Sequence, residues 1–130
     1  MLTKGSVVLF GLVVGLVSIS APATAQDDTA IMFHRVCTVA PGQAQGAVAF
    51  AREITDYFDE KWPETQMFSF RPAMLPNNEI HFVTQYANME AYGAFRPVLI
   101  QDSGLQALIL KSQSVFVPDN CRDDLSVVLR

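Results

Sequence analysis

The sequence predicts an α+β fold of order βαββαβ: an antiparallel sheet with two helices on one face, the split-βαβ or ferredoxin-like arrangement. Three observations predict it. Ile31 to Val39 is an apolar, β-branched run that stops at Pro41-Gly42. From Ala47 the apolar residues fall at Ala47, Phe50, Ala51, Ile54, Tyr57, Phe58 and Trp62, the spacing of one helical face. Two alternating runs, Thr65–Arg71 and Glu79–Tyr86, flank the turn-rich stretch Pro72–Asn78 and read as a hairpin.

The elements follow in order. The first strand takes Ile31–Val39 and the first helix Gln43 to about Trp62. Pro63 ends that helix, because the residue before a proline disfavours helical geometry. After the hairpin, Asn88 is the N-cap of a helix through Met89, Tyr92, Phe95 and Ile100, with Pro97 placed to kink it. Asp102-Ser103-Gly104 interrupts, and Leu105, Leu108, Ile109 and Ser112 carry a second helical piece. Val115–Pro118 is extended and Leu125–Leu129 is a short fourth strand. The expected strand order is 4-1-3-2, with strand four antiparallel beside strand one. That places Cys37, near the end of strand one, beside Cys121, just before strand four. These are the chain's two cysteines, and a Cys37–Cys121 disulfide is expected in an exported domain; the alternative is two free buried thiols.

Export is expected from the first residues. Met1 to Lys4 is a short basic start, Val7 to Ile19 is an uncharged apolar run, and Ser20 to Ala25 offers an A-x-A site. The apolar run is about 13 residues, short of the roughly 20 that a membrane span needs. A signal peptide over 1–25 is therefore expected, with the domain over 26–130 in the periplasm or secreted; the alternative is an uncleaved anchor. A chain of 130 residues is one domain. Its net charge is −4, and more negative without Lys4. An acidic domain with no basic run argues against nucleic acid and against stable membrane association after cleavage.

Alternation assigns the faces. Ile31, Phe33, Cys37 and Val39 on strand one, Phe68 and Phe70 on strand two, Ile80, Phe82 and Tyr86 on strand three, and Leu125, Val127 and Leu129 on strand four are expected to meet the helices. Arg35 falls on that side too, where an unpaired charge is costly, so it needs an acidic partner or a route to the sheet edge. The opposite face mixes Met32, Val36, Met67, Val83 and Val128 with His34, Thr38, Ser69, Arg71, Glu79, His81 and Gln85. Such a face is too apolar to be simply solvated and suits a second copy of the domain.

Two stretches carry a family resemblance. Arg35-Val-Cys-Thr-Val-Ala-Pro-Gly42 is similar to the opening strand of NIPSNAP domains, an Arg followed by Pro-Gly, although Cys37 stands where an aromatic is usual. Tyr86-Ala-Asn88-Met-Glu-Ala-Tyr92 opens a helix in the same manner. Together with the element order, residues 30 to 130 resemble the dimeric α/β-barrel superfamily, nearest its NIPSNAP-type and antibiotic-biosynthesis-monooxygenase-type members. The resemblance implies a homodimer with its sheets face to face and a cavity for a small organic ligand, either between sheet and helices or inside the barrel. Its members include cofactor-free monooxygenases, isomerases and haem-degrading enzymes. The Asn, Trp and His of the haem-degrading members have no counterpart, since Trp62 sits at a helix end.

The two histidines, His34 and His81, lie mid-strand on one face of strands one and three, which are expected to be parallel neighbours. With Glu79 they suit a metal or an acid–base pair on a ligand, or are simply hydrogen-bonded structural residues. Arg71 and Arg35 suit a carboxylate, or a surface charge and a structural ion pair. Gln85 completes the ligand-binding candidates. Tyr86 and Tyr92 read as core aromatics or pocket hydroxyls, and Met67, Met74 and Met89 as packing. No glycine-rich phosphate loop, Ser-x-Gly elbow or Cys-x-x-Cys is present, and no cofactor or metal is expected. The activity expected is ligand binding, or cofactor-independent monooxygenase or isomerase chemistry on a small aromatic or polyketide-like molecule with His34 or His81 as base.

Overall fold

The computed structural model describes residues 29–74 and 77–129, so the expected leader over 1–25 lies outside the described residues. Strand β1 (Ile31–Val39) leads into helix α1 (Ala44–Lys61), strands β2 (Met67–Phe70) and β3 (Glu79–Tyr86), helices α2 (Met89–Gln101) and α3 (Ser103–Ser112), and strand β4 (Phe116–Val127). The sheet order is β2-β3-β1-β4 and its pairs are antiparallel, the expected ferredoxin-like topology. The second helical stretch is two helices. Asp102 ends α2 and caps α3, its carboxylate accepting from the Leu105 N–H at 2.8 Å. Among the described residues no helix is long and apolar enough to cross a membrane.

Pro41-Gly42 makes the first turn. The Gln43 N–H donates to the Ala40 carbonyl at 3.0 Å and Gly42 takes a φ of 76°, the left-handed position that a type II turn reserves for glycine. Helix α1 then buries Ala47, Phe50, Ala51, Ile54 and Phe58, the face read from its spacing. At its C-terminal end the Tyr57 hydroxyl and the Lys61 ammonium both donate to Asp102, tying α1 to the cap of α3. The Asp102 carboxyl is held down at about 2, chiefly by Lys61 and then by Tyr57. Gly104 lies directly under the Tyr57 ring, whose Cζ is 2.9 Å from where a Cβ would stand.

The disulfide Cys37–Cys121 is present and the two residues face each other in the ladder. Strand β4 begins nine residues before the expected start, at Phe116 opposite Val39. Between that pair and the disulfide, β4 carries four residues where β1 carries one, so the chain bulges outward over exposed Pro118, Asp119 and Asn120. Asp119 takes a φ of 57°, a conformation that aspartate tolerates better than most residues.

Three expectations need correction. Strand β3 runs antiparallel to β1, not parallel. The α1 crossover keeps β2 parallel to β1, and the hairpin then reverses β3. Strand β2 has the opposite phase: Met67 is buried, Ser69 faces α1, and Phe68 and Phe70 are 53% and 48% exposed on the helix-free face. Polar contacts fix this phase, since the Ser69 hydroxyl reaches the Thr55 hydroxyl at 2.9 Å and donates to the Ala51 carbonyl at 3.2 Å. A one-residue slip inverts every side chain, and four residues are too few to resist it. Finally, Leu125 and Val127 share the helix-side phase as expected, but stay exposed because β4 is the sheet edge.

Candidate functional site

The helix-free face gathers a polar cluster around the histidines. His34 Nε2 lies 2.9 Å from His81 Nδ1, and His81 Nε2 lies 3.4 Å from a Glu79 carboxylate oxygen. The other Glu79 oxygen accepts from Arg122 at 3.0 Å, which holds the Glu79 carboxyl below the usual range. His81 Nε2 is buried without a hydrogen-bond partner, and the donor and acceptor roles between the two rings follow from their tautomers. In the tautomer with the His81 proton on Nε2, towards Glu79, His81 Nδ1 accepts from His34 Nε2–H and the free lone pair of the pair is on His34 Nδ1. Beneath them Val36, only 4% exposed, is flanked by His81 on one strand and Arg122 on the other. The Phe70 ring stacks on His81 at 4.8 Å and on His34 at 6.3 Å. Among the described residues no group of three or more His, Cys, Asp or Glu side chains is placed to hold a metal ion.

Burial lowers the His34 pKa, His81 adds repulsion and Arg122 a little more, while Asp124 pulls the other way. The unfolded chain therefore takes up this proton more readily than the folded one. Stability is expected to rise with pH up to about 6.5, and to fall as pH drops below it. Histidine NMR titration checks this: His34 should titrate below the ordinary value, and His81→Gln should raise its midpoint. A wild-type midpoint at or above the ordinary value contradicts the arrangement.

On the other side of the sheet, a cavity of about 350 Å³ lies between the strands and the helices. Phe50 and Phe58 of α1 and Phe82 of β3 wall one side, while Tyr92 and Leu99 of α2 and Leu105 of α3 wall the other. Helix α2 has no fully buried residue and is held through half-buried Tyr92, Phe95 and Leu99, with Phe95 meeting Trp62 and Tyr86. The charged residues of the lining are Arg35 and Arg96. Arg35 has the acidic partner it needs: Asp123, directly opposite on β4, accepts from Arg35 Nε at 2.6 Å and Nη2 at 2.7 Å. This bond first, and the charge of Arg96 last, hold the Asp123 carboxyl below its ordinary value.

No protein-family model and no curated protein matches the sequence. Solved structures match in shape. A NIPSNAP family protein of unknown function from Agrobacterium tumefaciens str. C58 superimposes with a TM-score of 0.65 at 13% identity, over 80% of this chain and 92% of its own. An uncharacterized NIPSNAP domain protein from Burkholderia xenovorans gives 0.63 at 12% identity, over 76% and 94%. The chain has the NIPSNAP-like ferredoxin fold. A mutant of SnoaB, a cofactor-independent oxygenase from Streptomyces nogalater, is similar with a TM-score of 0.54 at 15% identity, over 78% and 94%.

Within this NIPSNAP-like domain the sequence-derived candidates separate. His34, His81 and Glu79 come together. Gln85 is on their face but farther along β3, exposed and opposite Met32. Arg71 is exposed at the end of β2 and borders a different surface depression, with Pro41, Gly42 and Asn77. The histidines and the cavity lie on opposite faces of the sheet. Sequence reading missed Phe70, Arg122 and Asp124 beside the histidines, and Thr84 and Arg96 in the cavity. The disulfide held the signal for two of these: counting back along β1 and forward along β4 from Cys37–Cys121 sets Val36 against Arg122 and His34 against Asp124.

Proposed function

We propose that this NIPSNAP-like domain is an exported homodimer that binds a small organic molecule in the cavity between sheet and helices. The cavity carries the reading. Protein interiors hold few voids larger than a water molecule, and about 350 Å³ of aromatic-lined space is at the lower end of ligand sites. Dimerisation is supported by the exposed Phe68 and Phe70 beside the histidines, an apolar patch on an uncovered sheet face. Export is supported by the leader pattern and the disulfide. Native mass spectrometry of the protein recovered from its own export compartment tests all three. The expected result is a dimer carrying added mass, each chain gaining two hydrogens on reduction. A bare monomer overturns the reading.

A second reading rests on the basic nitrogen of His34. The SnoaB likeness offers cofactor-independent oxygenase chemistry, in which His34 Nδ1 takes a proton from a small aromatic or polyketide-like substrate. That substrate sits between the paired sheets, since no histidine lines the cavity. Oxygen uptake with a polyketide-like phenol, lost in His34→Gln, supports this reading; uptake unchanged in that variant excludes it.

A further inference from the structure

At the rim of the cavity two aromatic rings each carry a guanidinium. Phe33 and Tyr92 stack with centroids 6.3 Å apart; Arg35 lies over Phe33 at 5.9 Å and Arg96 over Tyr92 at 5.8 Å. The two cations differ in their balance. Arg35 is neutralised by its two-pronged bond to Asp123. Among the described residues Arg96 has no ion-pair partner. Its side chain is exposed and lines the cavity. The rim therefore carries an excess positive charge on a group whose planar fork suits a carboxylate.

A second polar group waits deeper. Thr84 lines the cavity from mid-β3, is 4% exposed, and its hydroxyl has no hydrogen-bond partner. Buried hydroxyls are seldom left so, because the group loses its hydration without gaining a partner. Tyr86 connects the two. Its buried phenol is near enough to Thr84 and Arg96 for both to act on its titration, although no well-aligned bond to Thr84 forms. A polar line thus runs from Thr84 past Tyr86 to Arg96 along a cavity lined mostly by aromatic and aliphatic side chains, its other polar residues being Arg35, Gln106, Ser112 and Gln113.

We propose that the cavity takes a small ring-bearing organic acid, its carboxylate on Arg96 at the rim and a hydroxyl or carbonyl group on Thr84 inside. The assignment rests on the cavity being the ligand site and names the ligand's chemical class. Arg96 is then the specificity residue for charge and Thr84 for the inner polar group. Helix α2, which carries Arg96, is the wall of the site that holds the carboxylate.

Calorimetric titration of the full chain with 6-hydroxy-2-naphthoic acid, its carboxamide and plain 2-naphthoic acid tests this. The hydroxy acid is expected to bind about tenfold tighter than its amide, and about fivefold tighter than the acid lacking the hydroxyl. Arg96→Gln should erase the preference for acid over amide while leaving the amide unchanged. Thr84→Val should erase the preference for the hydroxyl, and Thr84→Ser, which keeps the donor, should retain it. Equal binding of acid and amide by the wild type overturns the assignment of Arg96 while leaving the cavity as a binding site. Failure of all three probes to bind at millimolar concentration overturns the cavity reading as well.

Discussion

Reduction of the Cys37–Cys121 bond is expected to cost about 4 kcal/mol of stability, because it releases a loop spanning 84 residues in the unfolded chain. Domains of this size are stable by roughly 5–15 kcal/mol, so the loss is a large share of the total. Reduction keeps both sulfurs in place and isolates the cross-link, whereas Cys37→Ala also empties a position that is buried in the core. Urea titrations of the oxidised and reduced protein measure the difference. A loss below about 1 kcal/mol would show that the unfolded chain is already held compact without the bond. The local consequence is equally testable. The bond pins the edge strand β4 two residues from Asp123, so reduction should also loosen the Asp123–Arg35 pair at the cavity rim.

The order of elements, the strand order and the disulfide were all legible, because each rests on a long pattern or on a pair with few alternatives. Helix α1 shows why. Its buried apolar residues recur from Ala47 to Phe58, about three turns, at the spacing of one helical face. What escaped was short or relational. In β2 the run Met67-Phe-Ser-Phe70 offers two aromatics on one phase and Met with Ser on the other, and composition alone chooses the aromatics for the core. The choice is made instead by Thr55 and Ala51 of α1, which hydrogen-bond Ser69, and by the histidines, which give Phe70 a surface to stack on. Strand β4 is longer than its alternating run Leu125–Leu129 because it continues back through polar Asn120–Asp124 and the bulge at Pro118-Asp119-Asn120 to Phe116. Arg96 was invisible as a cavity residue because α2 has no clean apolar stripe to say which side faces the sheet.

The separation of the two candidate sites follows from the same register. Odd-numbered residues of β1 (Phe33, Arg35, Cys37) face the helices, and even-numbered residues (His34, Val36) face away. A ligand on Arg96 and a base on His34 are therefore separated by the thickness of the sheet. Substitutions at the histidines should leave ring-acid binding in the cavity intact, and substitutions at Arg96 should leave the His34 titration unmoved. The binding and oxygenase readings are thus independently testable in one protein.

Phe50→Ala is expected to cost roughly 3 kcal/mol, the lower end of the range for deleting a buried phenylalanine. Phe50 is 6% exposed and meets Phe82 at 6.1 Å and Phe116 at 5.7 Å, edge to face in both cases, while those two rings meet each other at 6.0 Å. This trio joins α1 to β3 and to the start of β4, so the deletion removes apolar burial and two ring contacts together. The cost stays at the lower end because one side of the ring already borders the cavity, so fewer packed contacts are lost. The same geometry predicts a compensation. The variant has a larger cavity, so a three-ring acid such as 2-anthroic acid should bind it more tightly than it binds the wild type. That acid should also restore part of the lost stability in proportion to its occupancy. Denaturation of the wild type and Phe50→Ala, each with and without the acid, separates the two effects. A loss below about 1 kcal/mol would show that the trio is not the centre of the core. A normal loss with no gain in affinity for the larger acid would show that the space released by Phe50 does not join the ligand cavity.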